Sequence, residues 1–176
     1  MLALAFCLAW QALHAAQPSW ILIDTAQQTL SVMQGDAPAM RLFDIAIGRY
    51  GATAEKRQGD NMTPLGRFRI NDIRRSDTFH RFVALDYPGV ERAETALQSG
   101  LINEATRDRI TRAHRSHRAP PQSTELGGHI GIHGLGGADP AVHASMNWTR
   151  GCVALTNTQI DALVPWLRVG MTVEIR

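Results

Sequence analysis

The sequence predicts a domain of the α+β class, built mainly of β-strands with a few short helices between them. Short runs that alternate polar and apolar residues, such as Thr29–Met33 and Met40–Ile47, are typical of half-buried strands. Helical spacing of apolar residues begins only at Val90, near the middle of the chain. A length of 176 residues is enough for one domain with a substantial core.

The first part of the chain predicts a meander of antiparallel strands. Trp20–Asp24 is a short apolar run, Thr29–Met33 is the next strand, and Gln34-Gly35-Asp36 turns the chain into Met40–Ile47. The stretch Arg49–Thr63 is rich in glycine and polar residues, and we expect it to form a long loop.

Two further strands and two helices are expected in the middle of the chain. The proline after Thr63 favours an extended entry into strands at Arg67–Ile70 and Phe82–Leu85. A helix is expected within Val90–Gly100, with the glycine as its C-terminal stop, and a second helix over Ile102–Arg118.

Three more elements are expected in the last third of the chain, namely a strand at Gly128–His133, a helix from Thr156 or Asn157 through Leu167, and a strand at Met171–Ile175. Side chains alternate between the faces of a strand. His129 and His133 are therefore expected on one face, looking into the same cleft.

Cys152 stands nineteen residues after His133 and is the one cysteine outside the first few residues of the chain. An attacking sulfur must be a thiolate, and a free thiol with a pKa of about 8.5 is mostly protonated at neutral pH. A neighbouring imidazole can accept that proton and hold the ion pair, as in cysteine–histidine acyl-transfer enzymes. Gly151 leaves the backbone open, so its amide and that of Cys152 can face a developing oxyanion. A small buried thiol beside a core histidine is the alternative interpretation.

A zinc site is a weaker alternative, with His129, His133 and His143 as the nitrogen ligands. The first two lie in a predicted strand that contains glycine, and no glutamate follows His129 as in the helical His-Glu-x-x-His motif. We therefore expect no metal and no other cofactor.

The pattern around these residues resembles the signature of the YkuD-type L,D-transpeptidase domain. The matching positions are His133-Gly134, Thr149-Arg150-Gly151-Cys152, Asn157, Gly59-Asp60, Thr63-Pro64-Leu65-Gly66 and the closing Gly170–Ile175. The resemblance implies a YkuD-like β-sandwich or mixed sheet in one catalytic domain, residues 20–176. Arg150 replaces the usual histidine and Ala154 the frequent arginine, as in a branch of the family with the motif Trp-Thr-x-Gly-Cys-Val/Ile-Ala.

The resemblance implies a peptidoglycan L,D-transpeptidase that acts on stem tetrapeptides through an acyl-enzyme. Cys152 would be the nucleophile, His133 the base, and the carbonyl of Gly134 would orient the imidazole. The thioester would pass to an amine, giving a 3→3 cross-link or an attached protein, or to water, as in an L,D-carboxypeptidase. A non-catalytic wall-binding module is the alternative from another class. Five residues are expected to contact substrate, namely His129, Trp148, Thr149, Arg150 and Asn157.

The first 16 residues predict a secretory signal peptide, and therefore export to the periplasm or cell envelope. Leu2–Trp10 is apolar but shorter than the roughly 20 residues of a membrane span, and a small-residue cleavage region follows. The net charge of +2 comes without a charge run that would suggest nucleic acid, and a monomer is expected. The basic stretch 102–118 is either a flap over an anionic wall polymer or a solvated helix face.

Overall fold

The computed structural model describes residues 18–176, and an eight-stranded mixed β-sheet organises them. The strands are β1 (Ser19–Asp24), β2 (Thr29–Gln34), β3 (Ala37–Leu42), β4 (Ala52–Thr53), β5 (Thr63–Pro64), β6 (Gly66–Ser76), β7 (His80–Leu85), β8 (Gly131–His133), β9 (Val153–Ala154) and β10 (Thr172–Ile175). The helices are α1 (Val90–Gln98), α2 (Glu104–Arg115), α3 (Pro140–Ser145) and α4 (Asn157–Leu163), followed by a 3₁₀ turn at Val164–Trp166. The predicted α+β class is confirmed.

The first and last strands of the described chain, β1 and β10, are neighbours in the sheet. The order in the sheet is β3-β2-β1-β10-β6-β7-β8-β9, and β4 and β5 form a separate parallel pair. β1 lies parallel to β10, with Ile21 opposite Val173 and Ile23 opposite Ile175, and all four side chains are buried. The antiparallel meander expected for β1, β2 and β3 is confirmed.

Two hydrophobic clusters form the core. The larger cluster joins the strands to α4 and includes Leu30, Val83 and Ile160. The smaller cluster packs α1 and α2 around Leu126. The hydroxyl of Tyr87, which belongs to the larger cluster, donates to the carbonyl of Leu126 at 2.8 Å and links the two clusters. Burial of one large apolar side chain stabilises such a core by about 1.5–3 kcal/mol.

The third strand is shorter than the sequence predicts. It ends at Leu42 rather than Ile47, because Asp44 adopts a left-handed backbone conformation with a φ of +55° that a strand cannot continue through. Ala46 returns to the sheet only as an isolated antiparallel bridge to Ala154 of β9. The segment 43–47 therefore becomes a support for β9 instead of part of the meander.

Two elements in the middle of the chain also differ in length from their predictions. β6 extends beyond the predicted Arg67–Ile70, since β7 pairs with it as far as Ser76. α2 covers only residues 104–115 of the predicted Ile102–Arg118. Its start is fixed by Asn103, whose side chain accepts a hydrogen bond from the amide of Thr106 at 2.9 Å.

The last helix begins where the sequence predicts. The Thr156 hydroxyl accepts from the amide of Gln159 at 3.1 Å, and the Gln159 side chain accepts from the amide of Thr156 at 2.9 Å, which is a complete capping box. The α-helix ends at Leu163, short of the predicted Leu167. Pro165 lacks an amide hydrogen, so the chain continues as a 3₁₀ turn.

α3 was not expected from the sequence. Asp139 accepts a hydrogen bond from the amide of Ala141 at 2.8 Å, and Pro140 occupies the first turn, and both features favour a helix start. Six residues are too few to show a helical repeat of apolar residues. The helix nevertheless matters, because it buries His143 near the candidate site.

The predicted signal peptide, residues 1–16, lies outside the described part of the chain. Within residues 18–176, none of the helices combines the length and the apolar character needed to cross a membrane.

The capping box yields a stability prediction for Thr156→Ala. Loss of the hydroxyl removes one acceptor for an unpaired amide of the helix start, and should lower the free energy of unfolding by about 1 kcal/mol. Thr158→Ala is the matched control, because Thr158 is exposed in the same helix. Urea unfolding of both variants measures the difference. Equal stabilities for the two variants would show that the box contributes nothing.

Candidate active site

A short parallel pairing places Cys152 and His133 on the same face of the sheet. In β8 and β9, Ile132 lies opposite Val153 and His133 lies opposite Ala154. Continuing this register by one residue sets Gly131 opposite Cys152. Paired residues of neighbouring strands point to the same face, and so do residues two apart in one strand. The two predicted catalytic side chains therefore share a face, with only a glycine between them.

Glycine at position 131 is required by close packing. A Cβ atom there would lie 2.5 Å from the carbonyl oxygen of Val83 and 2.7 Å from Cζ of Phe82. Both distances are shorter than any contact a real Cβ makes. Strand β7 thus keeps the position opposite Cys152 free of a side chain.

His133 is 2% exposed, and its ring is held in a defined tautomer. Nδ1 lies 2.7 Å from the carbonyl oxygen of Gly134. A carbonyl only accepts, so Nδ1 carries the proton and Nε2 is left as a base. Burial lowers the pKa of His133, the Gly134 carbonyl partly opposes this, and His143 lowers it further. The imidazole is therefore neutral at pH 7 and able to accept a proton.

Three aromatic side chains enclose the His133 ring and explain its burial. The ring centroid lies 4.3 Å from that of Phe79, 6.2 Å from that of Phe82 and 5.9 Å from that of Trp148. Phe82 is stacked on the imidazole at an interplanar angle of 7°, whereas Trp148 meets it edge-on at 72°. The Trp148 indole is itself fixed, since its Nε1 donates to Nδ1 of His143 at 3.3 Å.

The Cys152 thiol is protonated in the resting structure. Its Sγ donates to the carbonyl of His129 at 3.3 Å. Burial raises the pKa of Cys152 to about 11, although the Gly131 amide and the charge of Lys56 both favour the thiolate. This corrects the expectation of a preformed thiolate–imidazolium pair.

Gly151 and Thr149 form a turn that contradicts two sequence predictions. The amide of Gly151 donates to the hydroxyl of Thr149 at 3.1 Å, and that hydroxyl donates to the carbonyl of Cys152 at 2.7 Å. The Gly151 amide is therefore already bonded and is not free for an oxyanion. Thr149 is 4% exposed, so it shapes the turn rather than contacting substrate.

Asn157 supports the loop that follows the base. Its Oδ1 accepts from the amide of Gly136 at 2.9 Å, and its Nδ2 donates to the Gly136 carbonyl at 3.1 Å. The same Oδ1 lies 2.7 Å from where a Cβ on Gly134 would be. The oxygen and the nitrogen of the Asn157 amide are thus both hydrogen-bonded to the backbone near His133. This favours a role for Asn157 in positioning that loop over the predicted contact with substrate.

The remaining predicted contacts differ in where they lie. β8 begins at Gly131 rather than Gly128, because His129 has a left-handed backbone with a φ of +56°, and the expected alternation of His129 with His133 does not hold. The His129 side chain is exposed, and only its carbonyl reaches the thiol. Arg150 is exposed next to Cys152.

Residues 18–176 contain no group of three potential metal ligands.

Lys56 is a site residue that sequence reasoning missed. It is 3% exposed, and its Nζ lies 2.6 Å from Oδ1 of Asp60. Its Cε lies 3.2 Å from where a Cβ on Gly151 would be. One signal was present in the sequence, since the 18 lysine and arginine residues include a single lysine.

A surface cavity within residues 18–176 lies away from the site residues described above. It has a volume of about 500 Å³ and lies between β6 and the end of α2, where Arg69, His114 and Arg118 line it. None of the predicted site residues borders this cavity.

Comparisons with known proteins identify the family of this domain. Residues 18–175 match the YkuD family, described as L,D-transpeptidase catalytic domain. No curated protein sequence matches the chain. Similar solved structures include the helical cell shape determining protein Pgp2 from Campylobacter jejuni (18% identity, TM-score 0.60) and Bd1075 from Bdellovibrio bacteriovorus (18%, 0.57). An Enterococcus faecium L,D-transpeptidase is similar at 11% identity and a TM-score of 0.53.

Each of these three alignments covers 92% of this chain. They cover 49% of the first two proteins and 50% of the third. The chain therefore spans about half the length of these structures, and the likeness at this level of identity concerns the fold.

The turn before the nucleophile yields a prediction for Gly151→Ala. Gly151 has a φ of +126°, and a Cβ there would lie 2.7 Å from the carbonyl oxygen of Met62, so the variant should lose stability and displace Cys152. Gly137→Ala is the matched control, because nothing lies within 4 Å of its Cβ position. Thermal unfolding and the alkylation rate of Cys152 are the measurements. A Gly151→Ala protein that matches the control in both would contradict the geometry.

Proposed function

The chain belongs to the YkuD family of L,D-transpeptidase catalytic domains, and from this membership and the site geometry we propose that it is a peptidoglycan L,D-transpeptidase. The family acts on peptidoglycan. The observation that carries the proposal is the shared face of Cys152 and His133, with the imidazole proton held by the Gly134 carbonyl. A wall-binding module without chemistry would have no need of this tautomer.

The first half of the proposed reaction forms an acyl-enzyme. Nε2 of His133 accepts the thiol proton while Sγ of Cys152 attacks the carbonyl between the third residue of the stem peptide and its terminal D-alanine. The carbon–nitrogen bond then breaks, and His133 returns the proton to the departing amine. D-alanine leaves, and the stem tripeptide stays on the sulfur as a thioester.

The second half regenerates the thiol. An amine attacks the thioester carbonyl, His133 accepts a proton from that amine, and the proton returns to the sulfur as it leaves. An amine of another stem peptide gives a 3→3 cross-link, an amine of a protein gives an attached protein, and water gives carboxypeptidase action. The products of the reaction identify which acceptor is used.

The oxyanion of the tetrahedral intermediate needs hydrogen-bond donors. Of the two amides predicted for this role, Gly151 is bonded to Thr149, which leaves the amide of Cys152. One such donor is typically worth about 3 kcal/mol of transition-state stabilisation. The site therefore has fewer backbone donors for this charge than the sequence predicts.

The proposed substrate is outside the cytoplasm, so the proposal includes export. The apolar start of the chain supports a signal peptide and a location in the periplasm or cell envelope. The proposed biological role is in cell-wall organisation. The Campylobacter jejuni protein to which the chain is similar is described as helical cell shape determining, which motivates cell shape as a phenotype to score.

The direct test uses purified tetrapeptide muropeptides and mass spectrometry. Wild-type protein should release D-alanine and give an adduct on Cys152, and a carbapenem should label the same residue. Cys152→Ala should abolish turnover and labelling while it keeps the thermal stability of the wild type. A folded wild-type protein that binds muropeptides but forms neither adduct nor product would instead identify a binding module.

We further propose that Arg150 holds the carboxylate of the terminal D-alanine. Its planar guanidinium suits a carboxylate, and it stays charged at any working pH. Arg150→Gln should weaken apparent affinity for tetrapeptide roughly thirty- to a hundredfold, from a lost contact of about 2–3 kcal/mol.

The control for this prediction is Arg168→Gln, which changes an exposed arginine beside β1 and β10, away from the site. A C-terminally amidated tetrapeptide tests the contact from the substrate side. If the wild type shows no preference for the free carboxylate, or if Arg150→Gln retains the preference, Arg150 has no such role.

A further inference from the structure

Lys56 is unusual in this chain for both its identity and its location. It is the single lysine among 18 lysine and arginine residues, and it is the one of them that is fully buried in residues 18–176. Buried lysine is rare because the ammonium group loses its hydration, so it is found paired. A buried lysine that lies beside a nucleophile requires a physical explanation.

Its partner is Asp60, and the pair is built into the loop. Oδ1 of Asp60 lies 2.6 Å from Nζ of Lys56 and also accepts from the amide of Met62 at 2.9 Å, while Oδ2 accepts from the amide of Arg57 at 2.7 Å. Burial alone would raise the pKa of Asp60, but these hydrogen bonds outweigh it and hold the pKa below its usual value. The carboxylate is therefore ionised and anchors the ammonium group.

The pair lies directly behind the turn that carries the nucleophile. Cε of Lys56 and the carbonyl oxygen of Met62 approach the Cβ position of Gly151 to 3.2 and 2.7 Å. From the other side, Nε of Arg92 in α1 donates to the carbonyl of Lys56 at 3.2 Å. The loop 56–62 and the turn at Gly151 therefore form one packed unit.

Few groups near Cys152 can stabilise a negative charge on its sulfur, and Lys56 lies where it can do so. The thiol is desolvated, His133 is neutral, and the amide of Gly151 is bonded to Thr149. The groups facing Cys152 are the carbonyl of His129, the amide of Gly131, the imidazole of His133 and the ammonium group of Lys56, with Arg150 exposed beside them. Lys56 is the one buried group among these with a permanent positive charge.

We propose that Lys56 is a positioning residue of this site: anchored by Asp60 behind Gly151, its ammonium group stabilises the negative charge that forms at Cys152. It acts through the field at the sulfur and does not touch the reacting atoms. The inference rests on the proposed function, since it assumes that Cys152 is a nucleophile. It extends that function by assigning part of the activation of the Cys152 thiol to the charge of Lys56, which is present before substrate binds.

The test measures alkylation of Cys152 by iodoacetamide from pH 6 to 10, quantified on the peptide that contains Cys152 so that Cys7 does not contribute. Only the thiolate reacts, so the rate below the thiol pKa reports that pKa directly. Lys56→Met should slow the reaction about tenfold at every pH in this range, which is a rise of about one unit in the thiol pKa.

A further variant separates charge from structure. Arg92→Gln loosens the same loop by removing its bond to the Lys56 carbonyl but keeps the ammonium group and its Asp60 partner, and it should alkylate within about twofold of wild type. If Arg92→Gln slows alkylation as much as Lys56→Met does, the role of Lys56 is structural and the proposal is wrong.

The single lysine also allows a test that needs no change at position 56. Protein labelled with ¹³Cε-lysine gives one lysine side-chain signal, and this signal should shift as the Cys152 thiol titrates. The contribution of the thiol to this shift should be absent in Cys152→Ala. A signal that follows the same pH profile in both proteins would overturn the proposal, even if Lys56→Met does not fold.

The two proposals fail in distinguishable ways. If wild-type Cys152 forms no acyl-enzyme with tetrapeptide or carbapenem, the proposed function fails. If the acyl-enzyme forms and His133→Ala slows it, but Lys56→Met forms it at the wild-type rate, only the inference about Lys56 fails.

Discussion

The pairing of β8 with β9 is the constraint on which the rest of the site depends. It consists of two residue pairs, yet it sets the distance and the facing of Cys152 and His133. So short a pairing needs support from both sides. Ala46 exchanges two backbone hydrogen bonds with Ala154, at 3.0 and 2.7 Å, and the amide of Leu155 donates to the carbonyl of His133 at 2.8 Å. The early end of the third strand at Leu42 is thus what frees the chain to hold β9.

Desolvation has opposite effects on the two predicted catalytic groups. It keeps the imidazole of His133 neutral, which suits a base, but it also keeps the Cys152 thiol protonated, which does not suit a nucleophile. Neutral groups are favoured in both cases because a buried charge loses its hydration. In a site of this kind the proposed chemistry depends on charges and dipoles that are already fixed in the protein.

Much of the fold could be predicted, as could the proximity of Cys152 and His133, because their signals are local. The alternation of Thr29–Met33, the helix start at Thr156 and the glycines beside His133 and Cys152 are each contained in a few residues of sequence. The turn at Gly151 could not be predicted, since the choice of Thr149 as the partner of that amide depends on a left-handed conformation. Lys56 was missed for another reason, because its burial depends on contacts with residues nearly a hundred positions away.

The single lysine has a consequence for the protein's own surface. An enzyme that hands an acyl group from a thioester to amines risks acylating its own lysine side chains. In these 176 residues every other basic side chain of this kind is an arginine, whose guanidinium stays protonated at neutral pH and is a poor acceptor. The one side-chain amine is buried in an ion pair with Asp60. Within residues 18–176 the chain therefore exposes no lysine amine that could compete with the acceptor of the proposed reaction.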